Sequence, residues 1–435
     1  MRRALPLATL LVSLRALAAE PARPGEDDPR TEAVTPGATD ASAGDRDDEP
    51  PLPGTLRALR IVGLEGTREH VVRRELGWRE GEAVDAHAWS LGLTRLWNTV
   101  LFSRITARRV AVSPGVFDVE VRVAENFTIF PIFTGTATQD ITWVRAGLMD
   151  VNLFGSYREA GFSVERYNES YGGDVYYRDP RLGDERVELF LQASRLARPR
   201  PGFTLVRNVG RAEVSRLLSE DRMRVGVRLE GGYDTYDDPL RGGERVPQPS
   251  APYGLIAAAL RFGRLDRTRV TYAGQTVDLV PSVAWTTGPS GLFGALTVDA
   301  RAFRRWPGNI NAVLRVLGVM TGATTDNFIP FVGGTETVRG YPDSYAHGPR
   351  YAATNAELRW SALEWEYLVI MPTAFVDAAL VDDVRAERRV LASAGGGVRL
   401  IAPNFAAAGI RVDFATPLTG SFAPGLSLGA YQFFW

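Results

Sequence analysis

The sequence predicts a mainly β protein: an antiparallel transmembrane β-barrel of about sixteen strands preceded by one small α/β domain. Three observations predict it. From residue 127 to the C-terminus, strand-length segments of roughly ten residues alternate apolar and polar side chains, as walls between lipid and a wet lumen do. Val225, Val227 and Leu229 share one face of their segment, with charges on the other, and Leu296, Val298, Ala300 and Ala302 alternate with Thr297, Asp299, Arg301 and Phe303. Short turns (153–156, 182–184, 218–221, 307–309) interleave with longer polar segments (198–202, 234–252, 326–350). A soluble sandwich would show the same alternation, but not polar faces so rich in charge nor this short–long rhythm. Past the N-terminus there is no apolar run of about 18 residues that could cross a membrane as a helix.

Residues 1–19 read as a secretory signal: Arg2 and Arg3, an apolar stretch from Ala4 to Leu14, then Ala16-Leu17-Ala18 as a small-x-small cleavage site. Residues 20–54 are rich in Pro, Gly, Asp and Glu and bury too little apolar surface to fold, so they read as a disordered acidic linker. Residues 55–124 form the α/β unit. Leu59, Ile61 and Leu64 mark a strand. A helix over 68–76 follows, with Val71, Val72 and Leu76 inside and Thr67 as its N-cap. A second helix over 85–100 carries Trp89, Leu93, Leu96 and Trp97 at helical spacing. Two strands, 105–112 and 116–123, meet at Ser113-Pro114-Gly115, and the second points Val119, Val121 and Val123 inward. The barrel then occupies 125–435 and ends on Tyr431, Phe433 and Trp435, aromatics on one face of a terminal strand.

Composition narrows the function. Fifty basic and 51 acidic residues nearly cancel, which leaves no footprint for nucleic acid. The absence of cysteine and the presence of only three histidines argue against disulfides, thiolate chemistry and structural zinc. No nucleotide or metal motif appears, so no cofactor is expected. Asp343, Ser344 and His347 could be written as a hydrolase triad, but three residues in one short loop lack the scaffold and oxyanion hole a triad requires. No Gly-x-Ser-x-Gly elbow is present. The expectation is a protein that is not an enzyme.

Several stretches carry a family resemblance. Gly333-Gly334-Thr335-Glu336-Thr337-Val338-Arg339-Gly340-Tyr341 stands in a late long loop before the closing strands. Asp150-Val151-Asn152-Leu153-Phe154-Gly155 precedes it, and Asn355-Ala356-Glu357-Leu358-Arg359, Phe375-Val376-Asp377-Ala378-Ala379, Gly395-Gly396-Gly397-Val398-Arg399-Leu400 and the strand 410–418 follow. In this order they resemble the outer-membrane assembly-factor, or bacterial surface-antigen, superfamily of the BamA and TamA type. Ala379 departs from a glycine common there. The β-α-α-β-β order of 55–124, with Leu101-Phe102-Ser103 and Val121-Arg122-Val123-Ala124-Glu125, resembles a periplasmic polypeptide-transport-associated (POTRA) domain.

The resemblance implies an outer-membrane insertion factor whose seam opens to template client strands, driven by client folding and local bilayer thinning. The alternative is a two-partner-type secretion pore. Implied partners are outer-membrane lipid, unfolded outer-membrane or secreted polypeptides, and periplasmic accessory proteins held through the α/β domain. The seam should join the strand 127–138 to the C-terminal strand, with Pro131 unable to complete its ladder. Gly333, Gly334, Val338, Arg339, Gly340 and Tyr341 form the signature loop. If it folds into the lumen, Arg339 needs a carboxylate, and Glu357 and Asp377 are the expected partners.

Overall fold

The computed structural model describes residues 50–137, 142–167, 170–200, 203–237, 250–384, 388–403, 409–420 and 424–430. The expected signal peptide, nearly all of the linker, and Tyr431, Phe433 and Trp435 lie outside these residues.

The α/β domain comprises β1 (Gly54–Val62), a helix at Glu69–Leu76, β2 (Ala83–Val84), a helix at Ala86–Asn98, β3 (Phe102–Ser113) and β4 (Val116–Glu125). Its sheet has the order β2-β1-β4-β3, with β1 and β4 parallel and the other pairs antiparallel. Alternation in β4 buries Phe117, Val119, Val121 and Val123 against Val71, Val72, Leu76 and Leu96 of the helices. Asp85 caps the second helix through a 2.7 Å bond from the Ala88 amide. The first helix differs from expectation. Arg68 holds its cap position without a side-chain cap, and the Thr67 hydroxyl accepts a 2.9 Å bond from Asn152 instead. A contact 85 residues away thus outcompetes the local cap.

This core does not end at the domain. Phe130 and Val151, from the first barrel hairpin, are buried within it. Polar contacts extend the junction along the rim: Arg68 N–H to Gly155 O at 2.9 Å, Arg74 to Asp184 at 2.7 Å, Arg181 to the buried Glu75 at 2.7 Å and Arg95 to Asp221 at 2.9 Å. Phe117 is fully buried at the centre. Phe117→Ala is therefore expected to cost about 3–5 kcal/mol. The check is limited proteolysis, with the α/β domain digested faster while the barrel keeps its heat-modifiable gel mobility.

The barrel begins with short strands, β5 (Ile129–Ala137), β6 (Thr142–Asp150), β7 (Glu159–Tyr167) and β8 (Ser170–Asp179). Taller ones follow: β9 (Val187–Arg200), β10 (Phe203–Leu218), β11 (Met223–Asp237), β12 (Ala251–Thr268), β13 (Thr271–Thr286), β14 (Leu292–Trp306) and β15 (Ile310–Thr321). After a loop over 322–349, which holds the small hairpin β16 (Phe331–Val332) and β17 (Ala346–His347), the wall resumes with β18 (Arg350–Trp360) and the short β19 (Leu363–Glu364). It ends with β20 (Val369–Val381), β21 (Arg389–Ile401), β22 (Gly409–Pro417) and β23 (Gly425–Ala430). With β19 counted as an extension, this is a 16-strand antiparallel barrel. Strands of 14 to 18 residues in β9–β14 exceed the expected ten.

The segment 198–202 is another correction, because it is not a long polar loop. β9 and β10 remain paired up to Arg200↔Phe203, with Pro199 opposite Thr204. The described pairing of β8 with β9 stops at Arg195.

The wall has two chemistries. Val227, Leu229 and Ile256 are 55%, 52% and 61% exposed on the outside. Inside, registered neighbours pair as ions: Arg211 with Glu230 at 3.0 Å, Glu213 with Arg228 at 2.8 Å and Arg261 with Asp278 at 2.6 Å. Every cation in this lining is arginine, and the sequence contains no lysine. Among the described residues no helix is long and apolar enough to cross a membrane; an apolar-out, charged-in barrel crosses with strands.

Candidate functional site

β23 returns to β5 and closes the ring. Among the described residues this junction registers the pair Leu428↔Gly135, and β22–β23 and β5–β6 flank it as antiparallel ladders. Pro131 lies in β5, opposite Leu148 of β6.

The loop over 322–349 leaves the barrel end remote from the α/β domain and folds inward. Gly333 and Gly340 permit this, with φ of 127° and 88°. A Cβ at Gly333 would stand 2.3 Å from the Pro342 carbonyl oxygen, and one at Gly340 would press on Ala415 at 3.2 Å. Gly334 bridges to Val338, and its amide donates to the Tyr341 carbonyl at 3.1 Å. Val332, Val338, Tyr341 and Ala346 are buried against Ala353, Ala379, Val381 and Leu391 of the wall. Ala379, where glycine was the expected type, thus serves as packing surface. The Tyr341 hydroxyl donates to the Thr419 carbonyl at 2.7 Å and accepts from the Ala392 amide at 3.2 Å, tying the loop to β21 and to the end of β22.

Arg339 is 1% exposed at the centre of this arrangement. Its Nε and Nη2 donate to the two oxygens of Asp377 at 2.8 and 2.9 Å, a bidentate fork, and its backbone N–H reaches the same carboxylate at 3.1 Å. Nη1 donates to Glu357 at 3.2 Å and points toward Asp413 at 3.5 Å. The guanidinium carbon lies 3.4 Å from the centroid of the Phe375 ring, a cation–π contact.

The surrounding groups interlock. Glu357 accepts from Arg359 at 2.9 Å and Arg399 at 3.0 Å, and Arg399 also donates to Asp413. Asn355 bridges the Thr337 carbonyl at 2.7 Å and Asp377 at 2.9 Å. A fourth guanidinium, Arg411, is registered opposite Arg399. Arg339 thereby joins β18, β20 and β22, and Arg399 brings β21 into the same network.

Sequence reasoning did not assign Asn355, Phe375, Arg399 or Asp413 to this cluster. The parity of Arg399 and Asp413 on their strands was visible, but their convergence depends on barrel curvature. Asp343 and His347 stand apart from this cluster: Asp343 accepts from the Tyr167 hydroxyl at 3.2 Å, while the His347 ring stacks on Phe331 at 4.9 Å and faces Asp326 at 3.8 Å. Among the described residues no group of three His, Cys, Asp or Glu side chains is placed to hold a metal. What the site can do chemically is hold a loop against four strands.

No protein-family profile matches the chain, and no curated protein matches it. Solved structures do. CdiB from Escherichia coli superposes with a TM-score of 0.57 at 14% identity, over 86% of this chain and 75% of that one. CdiB from Acinetobacter baumannii gives 0.54 at 13%, over 87% and 73%. BamA from Haemophilus ducreyi lacking POTRA domains 1–3 gives 0.53 at 14%, over 86% and 83%. At these identities the likeness establishes a shared fold.

Proposed function

We propose, from the fold the chain shares with BamA and CdiB, that this protein works in a bacterial outer membrane and inserts outer-membrane polypeptides through an openable barrel seam. The observation that carries this reading is the 16-strand antiparallel barrel itself, whose first and last strands, β5 and β23, meet at Leu428↔Gly135. A closed sheet offers an incoming strand no edge, so a weak ladder is where a client can pair. Pro131 supports this, since it brings no N–H to β5.

The α/β domain stands on the periplasmic side in the role of a POTRA domain, receiving unfolded polypeptide and accessory proteins. The Arg339 cluster acts as a latch that keeps β18 to β22 in register while the seam moves. BamA is an assembly protein and CdiB serves two-partner secretion, so the alternative is passage of a secreted chain through the lumen. The inward loop, buried against the lumen wall, favours the seam.

Depleting the protein and comparing the outer-membrane proteome with the exported proteins tests this. Broad loss of barrel proteins is the expected result. Loss of a single secreted protein with barrels intact would replace insertion by secretion.

A further inference from the structure

The connection between β18 and β20, on the side of the α/β domain, is built unlike its neighbours. The turns at 219–222 and 307–309 are short, but here the chain adds β19, which pairs Leu363 with Ile370 and Glu364 with Val369. Leu363, Trp365 and Tyr367 are 46%, 54% and 70% exposed. Ile370 shares strand parity with Val376 and Leu380, which are exposed on the outer wall, so Leu363 continues the outer apolar surface beyond the end of the barrel.

This connection is held in place. Arg269, on the β12–β13 turn, donates to Glu364 at 3.1 Å and to the Trp365 carbonyl at 2.8 Å, and the Trp365 amide donates to the Leu368 carbonyl at 2.9 Å. The acidic side is thereby drawn to the barrel rim. Trp306 and Trp360, at the ends of β14 and β18, are exposed at the same level of the wall. Tryptophan and tyrosine with apolar bodies and polar tips favour the boundary between headgroups and acyl chains.

We propose that the β19 extension is a membrane-interface anchor, placing Leu363, Trp365 and Tyr367 in the headgroup–acyl boundary of the leaflet nearest the α/β domain. The occupant of this surface is lipid, because Leu363 extends the outer wall, Trp365 and Tyr367 stand exposed beyond it, and Glu364 is held at the rim by Arg269. The anchor lies directly below β18 and β20, the strands that carry Glu357 and Asp377. It fixes the depth at which that part of the wall sits. This inference rests on the barrel spanning a membrane.

Because the chain has no cysteine, single labels report unambiguously. Trp365→Cys and Tyr367→Cys would each carry a fluorophore in phosphatidylcholine–phosphatidylglycerol vesicles containing brominated lipid. Val227→Cys on the outer wall and Arg60→Cys on the α/β domain serve as references, and all four proteins are first checked for heat-modifiable folding. Labels at 365 and 367 are expected to be quenched about twofold or more relative to the label at 60, as for groups seated at the interface. Quenching no stronger than at 60, with the label at 227 quenched, would overturn the anchor and leave the membrane-spanning reading standing. An unquenched label at 227 would overturn both. If either aromatic variant fails to fold, Leu363→Cys replaces it with the same expected result.

Discussion

Arg339→Lys is expected to impair function almost as severely as Arg339→Ala. The guanidinium makes a bidentate fork with Asp377, a third bond to Glu357 and a face contact with Phe375, all in a space from which water is nearly excluded. Lysine keeps the charge but offers a compact ammonium in place of a planar fork. It cannot serve both carboxylates and stack on the ring together. Removing one partner of a buried ion pair costs about 3–5 kcal/mol, because the carboxylates remain behind without their cation.

Released from Asp377, the loop would lose its hold on β18, β20, β21 and β22. The measurement is rescue of a depleted strain, together with protease sensitivity of the loop in purified protein. Wild-type rescue by both variants would show that the loop need not be latched. Asp377→Asn should fall between wild type and Arg339→Ala, since the amide keeps one acceptor for the fork.

Locking the seam is expected to have an effect of comparable size. Gly135 and Leu428 are registered across β5 and β23. Directly opposed residues in antiparallel strands have Cα atoms about 4.5–5.5 Å apart, within the reach of a disulfide. The double variant Gly135→Cys with Leu428→Cys would form the chain's sole disulfide. Oxidised, it should lose insertion activity by about tenfold or more, the effect of at least ~1.4 kcal/mol on the limiting barrier. Reduction should restore activity. A lumen-secretion pore would be indifferent to this lock, so undiminished activity in the oxidised form would argue for passage through the interior.

Much of the architecture was legible because the relevant signals are local. Val225, Val227 and Leu229 declare an outer wall by alternation alone. Val119, Val121 and Val123 do the same for the small sheet. Glu357 and Asp377 were accessible to the same reasoning, each lying between small or apolar neighbours on an alternating strand.

The signals that misled were those whose meaning depends on distant chain. Thr67 has the chemistry of an N-cap, but Asn152 occupies its hydroxyl. The segment 198–202 reads as a longer polar loop, yet β9 and β10 stay paired up to Arg200 and Phe203 because their cross-strand partners continue the ladder. Arg399 and Asp413 lie 42 and 56 positions from Glu357 along the chain. Nothing in their own segments announces that the curved wall brings Arg399 onto Glu357 and Asp413 toward Arg339.

The choice of arginine for every basic position has a consequence for how the interior answers changes in the medium. A guanidinium stays protonated at any pH a cell or a purification imposes, so only the carboxylate half of each pair can be discharged. The lining therefore keeps its cations through an alkaline excursion that would discharge lysines in their place. A carbonate wash that strips adhering proteins from membranes should leave these pairs, and the loop they hold, undisturbed.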